Sequence, residues 1–238
     1  MGSLDDSKIK LSLVIPCYNE GKNIELLINR VKETFLDCDQ EIIFVDNGSN
    51  DSTELIFKKL LKEISNCRYI KIEKNIGYGN GILQGLLSAK GDVLAWTHAD
   101  MQTDPKDVLI GYKLFKKSGS EIFLKGRRIG RPLSDLFFTI GMSLFESILL
   151  GKNMWDINAQ PTMFSRKFFL SWRYPPNDFS LDLYAYYQAK LQNINVIKFP
   201  VFFGKRLYGL SHWNINWSSK WKFIKRTILF SLKLRKGI

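Results

Sequence analysis

The chain has 238 residues, a formal net charge of +12, and a composition that is 45% hydrophobic and 13% aromatic. This length fits one large domain, or a domain with an appendage, and the apolar content excludes intrinsic disorder because it can build a sizeable core. The three cysteines form no CxxC pair and are typical of packing residues in a reducing compartment. We expect no signal peptide before the first strand.

Positive charge is concentrated in the C-terminal part of the chain. No Asp or Glu follows Asp182, whereas eleven Lys and Arg residues do. Such an asymmetry favours an acidic partner. Charge alone leaves nucleic acid, anionic lipid and a phosphorylated substrate open.

Apolar runs and helical periodicity alternate along the chain, after a polar segment at residues 1–8 that we expect to be frayed. Strands are predicted at residues 11–16, 41–45, 69–72, 93–96, 121–124, 162–164 and 196–203. The first predicted helix starts from an N-cap at Asn23, and the second follows the loop at 46–53 and runs to about residue 64. Further helices are predicted over 82–89, from Pro105 to 117, over 133–150, from 179 to 191 and over 216–235. This alternation predicts the α/β class, with a mostly parallel sheet and right-handed crossovers.

The fourth predicted strand ends abruptly in a polar loop that carries His98, Asp100, Gln102 and Asp104. In an open α/β sheet, ligands bind outside the carboxyl ends of the strands. Oxygen atoms of Asp100 and Gln102 can hold a divalent cation there. The alternative is a polar loop whose Asp caps the helix that begins at Pro105.

A glycine cluster at residues 77–81 invites comparison with a dinucleotide-binding loop. The pattern GxGxxG fails in both registers, and the loop does not follow the first strand. The glycines instead suit a close backbone approach at a helix start.

Two late helices have unusual surfaces. Residues 133–150 are very apolar but include Asp135 and Glu146, so we reject a membrane-spanning segment and expect either a core helix or one at a membrane interface. Residues 216–235 place Trp217 and Trp221 at helical spacing among basic residues. This tail either lies on a membrane surface or packs on the core with a solvated basic face.

We divide the chain into a domain at 9–212 and a basic amphipathic tail at 213–238.

The loops at residues 16–20, 46–53 and 98–102 together resemble those of family 2 glycosyltransferases. The later segments at 126–128 and 203–211 make the chain similar to the dolichyl- or polyprenyl-phosphate sugar synthases of that family. The resemblance spans residues 10 to 212. It implies the GT-A fold, a Rossmann-like and mostly parallel sheet flanked by helices.

The resemblance also implies roles for individual residues. The implied nucleotide-sugar site consists of Pro16, Tyr18, Glu20, Val45, Asp46, His98, Ala99, Asp100, Arg128 and Arg131. The implied ligands of a cation that bridges the donor diphosphate are Asp100, Gln102 and His98. Arg127 or Arg128, together with Arg206, would meet phosphates of the donor or acceptor, as suits a planar guanidinium.

Two positions depart from the family pattern. His98 stands where the first acid of the metal motif is expected, and Asn47 stands where many members have a second Asp. A neutral imidazole suits Mn²⁺ or Zn²⁺ better than Mg²⁺, so Mn²⁺ is favoured over Mg²⁺. Alternatively, His98 faces away and Asp100 carries the ion alone.

The need for a catalytic base depends on the acceptor. A lipid phosphate is already an anion, whereas a sugar hydroxyl must lose its proton to a carboxylate. Asp156 and Asp182 are the candidates, although Asp also serves commonly at helix caps and in loops.

The sequence therefore predicts an inverting transferase that moves a sugar from a GDP- or UDP-linked donor to a polyprenyl phosphate. We expect it to be cytoplasmic and peripherally associated with an anionic membrane surface. The alternative within the family is a sugar-hydroxyl acceptor in a surface polysaccharide or lipid-linked glycan. Nucleic acid is not an expected partner, because no RNP, KH or helix-turn-helix pattern occurs. A non-catalytic scaffold is a further alternative, since His98 breaks the usual motif.

Overall fold

The computed structural model describes residues 11–35, 39–119, 121–204, 206 and 217–237. The strands are β1 (Leu11–Cys17), β2 (Gln40–Asn47), β3 (Cys67–Ile72), β4 (Val93–Trp96), β5 (Ile122–Ile129), β6 (Thr162–Ser165) and β7 (Asn195–Phe202). The helices are α1 (Gly21–Phe35), α2 (Thr53–Leu60), α3 (Tyr78–Ser88), α4 (Lys106–Ser118), α5 (Leu133–Leu150), α6 (Arg166–Leu170), α7 (Leu181–Leu191) and α8 (Trp217–Arg235). The predicted frayed N-terminus, and most of the motif predicted at 203–211, lie outside the described residues.

The seven strands form one sheet in the order β3-β2-β1-β4-β6-β5-β7. Only β6 runs against its neighbours β4 and β5 among the described pairs, and the other pairs are parallel. The predicted α/β class with a mostly parallel sheet is confirmed. Because β1, β2 and β4 are parallel neighbours, the loops that follow them meet at one edge of the sheet.

Both faces of the sheet are buried, as is usual when helices cover a parallel sheet. Side chains alternate between the faces along β1. Val14 packs on one face with Trp96 and with Leu86 of α3. Leu13 packs on the other face with Leu27 of α1.

Several element boundaries differ from the sequence prediction, and the largest shifts include the start of α3 at Tyr78 rather than at residue 82 and the end of α2 at Leu60 rather than at residue 64. The strand β2 continues to Asn47, and β5 continues to Ile129 because it pairs with β7 along its whole length. The prediction of Asn23 as an N-cap is wrong. The helix α1 begins at Gly21, and the backbone N–H of Asn23 donates to the Glu20 carbonyl at 2.7 Å. The short helix α6 was not predicted, and the Ser165 side chain caps it.

The helix α5 buries several polar residues and exposes several large apolar ones. Thr139, Ser143 and Glu146 are buried, whereas Phe137 and Ile148 are both 74% exposed. This is the reverse of the usual amphipathic arrangement of a helix on a water-soluble core.

The inner side of α5 packs against α8, which is the neighbour that buries Glu146. The side chains of Thr227 and Ser231 on α8 are buried as well, while Trp221 and Leu229 are 66% and 52% exposed. Burial raises the pKa of Glu146 to about 7, and Ser231 opposes this shift. In the described part of the chain, no helix has both the length and the hydropathy that a membrane crossing requires.

Candidate active site

A cavity of about 600 Å³ opens where the loops after β1, β2 and β4 meet. It extends from these loops past the end of β5 to the paired helices α5 and α8. Eleven of the predicted site residues line it: Pro16, Tyr18, Glu20, His98, Ala99, Asp100, Gln102, Arg128, Arg131, Asp182 and Arg206. The fold therefore brings together side chains that are separated by up to 190 positions in the chain.

Four predicted site residues do not line this cavity, and Val45 and Arg127 are two of them. The Val45 side chain is fully buried in the hydrophobic core beside α3. Arg127 lies on β5 with an exposed side chain. Because successive side chains of a strand point to opposite faces, Arg128 points to the cavity and Arg127 points away from it. The predicted choice between the two arginines is thus corrected to Arg128.

Asp46 is also outside the cavity lining, and its contacts are structural. Its buried carboxylate accepts hydrogen bonds from the backbone N–H of Ser49 at 2.8 Å and from the Tyr69 hydroxyl at 3.2 Å. These bonds fix the loop after β2. Asp46 therefore shapes the loop, and its predicted contact with a nucleoside stays a prediction.

The loops after β1 and β2 are joined by hydrogen bonds. The backbone N–H of Asn19 donates to Ser49 Oγ at 2.9 Å, and that of Glu20 donates to Thr53 Oγ1 at 3.1 Å. The Glu20 carboxylate accepts from Asn23 at 2.5 Å. Burial raises the pKa of Glu20, and this hydrogen bond opposes the shift. Glu20 is therefore held in place as part of the cavity wall.

Asp100 lies at the centre of the loop after β4 and is 6% exposed. Its Oδ1 accepts from the backbone N–H of Gln102 at 3.1 Å, and its Oδ2 pairs with the Arg206 guanidinium at 2.6 Å. The Gln102 side chain donates to the Gly204 carbonyl at 3.2 Å, and the Gly204 N–H donates back to the Gln102 carbonyl at 2.8 Å. The segment that follows β7 is thereby fastened to the Asp100 loop.

The donor atoms of this loop suit a hard cation. Within the described ranges, no three His, Cys, Asp or Glu side chains are grouped as a complete metal cage. Asp100 and Gln102 nevertheless supply two oxygen donors, and Mg²⁺-type sites commonly take their other ligands from phosphates and water. The residues present therefore fit a cation that shares its coordination with a diphosphate.

His98 belongs to an aromatic wall of the cavity. Its ring centroid lies 6.0 Å from that of Tyr78, which stacks on Phe179 at 4.6 Å. Burial raises the pKa of the Asp182 carboxyl group, and the charge of His98 is one of the influences that oppose this rise.

Asp156 is buried and holds Arg128 at the rim of the cavity. Its carboxylate accepts from the Arg128 backbone N–H at 3.0 Å and from the guanidinium at 2.5 and 2.9 Å. Burial raises the pKa of Asp156, but the charge and hydrogen bonds of Arg128 outweigh burial and lower it overall. Asp156 does not line the cavity, so its predicted candidacy as a base is replaced by a role in orienting Arg128.

Two guanidinium groups converge at this rim. Arg128 and Arg131 lie 5.5 and 5.6 Å from the ring centroid of Phe203. Burial and the Arg128 charge lower the pKa of Arg131. An anion bound between the two arginines would relieve this repulsion, so the rim is suited to a phosphate.

Asp182 forms part of the cavity wall and is 3% exposed. Its Oδ1 accepts from Gln160 Nε2 at 2.6 Å and from the Trp96 indole at 3.3 Å. Burial raises the pKa of Asp182, and the charge of Lys125 is the largest opposing influence. Neither Gln160 nor Lys125 was predicted from the sequence.

The far end of the cavity, between α5 and α8, was also not predicted. Its apolar lining residues are Phe138 and Met142 of α5, Ile157, Leu183 of α7 and Phe223 of α8. Thr139 and Ser143 of α5 and Arg226 and Thr227 of α8 line the cavity as well, so this end combines apolar and polar side chains.

The chain matches the family model described as glycosyl transferase family 2 over residues 12–169. This match spans well over half of the 238 residues. The chain belongs to glycosyltransferase family 2, which confirms the predicted family.

Curated relatives match part of the chain. The undecaprenyl-phosphate 4-deoxy-4-formamido-L-arabinose transferase of Aeromonas hydrophila is 37% identical over 112 residues, which cover 44% of this chain and 33% of that protein. The dodecaprenyl-phosphate galacturonate synthase of Rhizobium johnstonii is 29% identical over 134 residues, which cover 49% of this chain and 39% of that protein. The matched part of the chain thus spans about a third to two fifths of the length of these relatives.

Solved structures confirm the predicted GT-A fold. Glucosyl-3-phosphoglycerate synthase from Mycobacterium tuberculosis, in complex with Mn²⁺, UDP and glucosyl-3-phosphoglycerate, has a TM-score of 0.71 at 18% identity, covering 96% of this chain and 80% of that one. A mannosyltransferase from Pyrobaculum calidifontis, in complex with GDP-Man and Mn²⁺, has a TM-score of 0.64 at 16% identity. The match covers 85% of this chain and 58% of that one.

The Asp156–Arg128 pair predicts a pH-dependent loss of stability. Because the Asp156 pKa is lowered on folding, its ionisation contributes stability that is present above its unfolded pKa, near 4, and is lost as pH falls through the lower folded value. Asp156→Asn should lower the free energy of unfolding by about 3 kcal/mol at pH 7 and flatten its acid dependence, because it leaves a buried guanidinium without a counter-charge. Urea unfolding between pH 3 and pH 7 measures both effects.

The control for this prediction is Glu121→Gln. Its pair with Lys167 is 3.5 Å apart, with side chains that are 81% and 87% exposed. It should leave stability unchanged, because exposed ion pairs contribute little. Equal losses in the two variants would contradict the assigned role of Asp156.

Proposed function

We propose that the chain transfers a sugar from a nucleotide-diphosphate sugar to a polyprenyl phosphate, with inversion at the anomeric carbon. The observation that carries this proposal is the two-ended cavity. One end contains Asp100, Gln102 and the arginine rim, and the other end, between α5 and α8, adds the apolar side chains of Phe138, Met142 and Phe223. A polyprenyl phosphate has the same two-part chemistry, a charged head and a long apolar chain.

The donor fits the end that contains Asp100. Pro16, Tyr18 and Glu20 line the side formed by the β1 loop, where we place the nucleoside. We place a divalent cation, Mn²⁺ or Mg²⁺, at Asp100 and Gln102. When bound, such a cation neutralises charge on the leaving diphosphate.

The acceptor head group fits the rim formed by Arg128 and Arg131. Both guanidiniums lie over Phe203, and Asp156 fixes the orientation of Arg128. Planar guanidinium groups bind phosphate oxygens through paired hydrogen bonds. The isoprenoid chain would follow the apolar residues Phe138, Met142 and Phe223.

The transfer itself is a single displacement. An oxygen of the acceptor phosphate forms a bond to the anomeric carbon while the bond from that carbon to the donor diphosphate breaks. The electron pair leaves with the nucleoside diphosphate, and no proton has to be removed from the acceptor. Positioning and electrostatic stabilisation, supplied by the arginines, are then the main requirements.

The comparisons support this assignment at a coarser level. Both relatives have a polyprenyl phosphate in their names, and both solved structures contain Mn²⁺ together with UDP or GDP-Man. The nucleobase, the sugar and the inversion are our proposals for this chain.

We further propose that the exposed faces of α5 and α8 lie on the cytoplasmic face of an anionic membrane. Phe137, Leu144 and Ile148 form an apolar surface on α5, and Lys222 and Lys225 add positive charge on α8. An apolar face bordered by basic residues is typical of interfacial helices. The predicted division of the chain at residues 212 and 213 stays a prediction, because 207–216 lie outside the described residues.

A second candidate function is transfer to a sugar hydroxyl. The observation that favours it is Asp182, a buried carboxylate in the cavity wall that can take a proton. The two acceptors are distinguished by the Asp182→Asn variant.

If the acceptor is a polyprenyl phosphate, Asp182→Asn should retain kcat within about tenfold of the wild type, because no base is needed. If the acceptor is a hydroxyl, loss of the base should lower kcat by about 10²- to 10⁴-fold. Transfer from radiolabelled UDP- and GDP-sugars to undecaprenyl phosphate in detergent, with kcat and KM measured separately, decides between them.

The donor site predicts cation-dependent nucleotide binding. Calorimetric titration with UDP and GDP should show binding of one nucleotide in the presence of Mn²⁺ or Mg²⁺ and none with a chelator. Asp100→Asn should weaken this binding at least about tenfold, or 1.4 kcal/mol. The matched control is Asp104→Asn in the same loop, whose carboxylate pairs with Arg30 at 2.7 Å. Failure of both nucleotides to bind in all conditions would overturn the proposed donor class.

The α5 surface predicts binding to anionic vesicles. The wild type should cosediment with phosphatidylglycerol vesicles more than with phosphatidylcholine vesicles. Replacing both Phe137 and Ile148 by Asp should lower the partition coefficient more than about tenfold, since each large side chain contributes about 1.5–3 kcal/mol when buried. Leu55→Asp on α2, at a side chain that is 71% exposed, is the control and should bind as the wild type does. Equal binding by both variants would argue against a membrane contact at α5.

A further inference from the structure

Lys125 is a fully buried lysine beneath the wall of the cavity. It lies on β5, and its Nζ donates to the Ala159 carbonyl at 3.0 Å and to Thr162 Oγ1 at 3.3 Å. Both acceptors are neutral. An ammonium group removed from water requires a counter-charge nearby, because burial penalises the charged form.

Two carboxylates act on this ammonium, and only one of them has no ionic partner of its own among the described residues. Asp156 is already paired with Arg128. Asp182 accepts hydrogen bonds only from the neutral side chains of Gln160 and Trp96 in the described part of the chain. Lys125 and Asp182 are therefore complementary buried charges.

A short loop connects the two groups. Lys125 Nζ binds the carbonyl of Ala159, and the next residue, Gln160, donates to Asp182 at 2.6 Å. The adjacent Gly126 N–H donates to the Pro161 carbonyl at 2.9 Å. A Cβ atom at Gly126 would clash with the Gln160 carbonyl oxygen, so the strand and the loop are in close contact. Lys125 thus supports the loop that orients Asp182.

Each group shifts the ionisation of the other. Burial raises the pKa of Asp182, and among the charges that oppose this rise Lys125 is the strongest. Burial lowers the pKa of Lys125 to about 8, and Asp182 is the strongest charge that opposes this fall. The reciprocity indicates that removal of either charge would disfavour the charged form of the other.

We propose that Lys125 is a positioning residue that keeps the Asp182 carboxylate charged in the cavity wall, where it accepts a hydrogen bond from a hydroxyl group of the bound sugar. A charged carboxylate accepts a stronger hydrogen bond than a neutral acid, which would also offer a competing donor. The consequence for sugar binding rests on the proposed function. The charge relation between Lys125 and Asp182 is independent of the proposed function.

Other charged and titratable groups also face Asp182. His98, in the loop after β4, lowers the pKa of Asp182 but less than Lys125 does. Tyr78 of α3 stays neutral, because burial raises its pKa and Asp182 and Asp100 raise it further. Among the charges that act on Asp182, Lys125 is therefore expected to influence its titration most.

The indole N–H of Trp96 can report this titration without any substrate. It donates to Asp182 Oδ1, so its ¹H and ¹⁵N chemical shifts should change when Asp182 is protonated. Trp96→Phe identifies its resonance among the six tryptophans. In Lys125→Met, we expect the midpoint of the Trp96 titration to rise by about one pH unit or more relative to the wild type.

Lys198→Met is the matched control. Lys198 on β7 also has a pKa lowered to about 8 by burial, and its Nζ lies 5.1 Å from the same Tyr186 ring that Lys125 approaches at 5.7 Å. Its carboxylate partner is Asp156 rather than Asp182. This variant should leave the Trp96 midpoint unchanged.

Two further variants separate the effect of the charge from an effect on folding. Lys125→Gln keeps a hydrogen-bond donor for the Ala159 carbonyl but removes the charge, so it should raise the midpoint of the Trp96 titration as Lys125→Met does. Lys125→Arg keeps the charge and should retain the wild-type midpoint. If Lys125→Met does not fold, Lys125→Gln decides alone. An unchanged midpoint in a folded, uncharged variant would overturn the proposal. The titration contains neither a sugar-donor nor an acceptor substrate. Its result therefore does not depend on whether the proposed function is correct.

Discussion

Charge buried beside the cavity has to be compensated, and this requirement organises the site. Asp100, Asp156 and Asp182 are between 3% and 6% exposed. The first two pair directly with Arg206 and Arg128, and the third is balanced through a loop by Lys125. All three basic residues come from β5 or from the segment after β7. The C-terminal half of the chain therefore supplies the counter-charges that make an acidic sheet edge stable.

The parallel arrangement of β1, β2 and β4 places their polar ends together, but it does not by itself create a two-ended cavity. The antiparallel strand β6 separates β4 from β5, which moves the arginine rim to the side of the Asp100 loop. The paired helices α5 and α8 then cover the remaining side. A charged head group and an apolar chain can thus be held in one continuous space.

Much of this arrangement follows from local sequence rules. The apolar runs that end in His98, Asp100 and Gln102 predicted both the strand and its polar end, because strand ends at a sheet edge carry ligand sites. The sequence did not show which of Arg127 and Arg128 points to the cavity. The answer required the length of β5, because its pairing with β7 places both arginines in the strand and so on opposite faces of the sheet. Lys125 was missed because a charged residue after an apolar run suggests the end of a strand. Asp46 and Asp156 were placed in the right region, but their structural contacts involve partners up to 28 positions away.

The polar inner side of α5 has a consequence for engineering the protein. The rotation of this helix about its axis is set by Thr139, which accepts from Arg131, by Ser143, which accepts from the Asp156 N–H, and by buried Glu146. Phe137 and Ile148 on the outer side are both 74% exposed. A redesign for solubility could therefore make the outer face polar while the helix keeps its place, whereas making the inner face more apolar would remove the contacts that orient it.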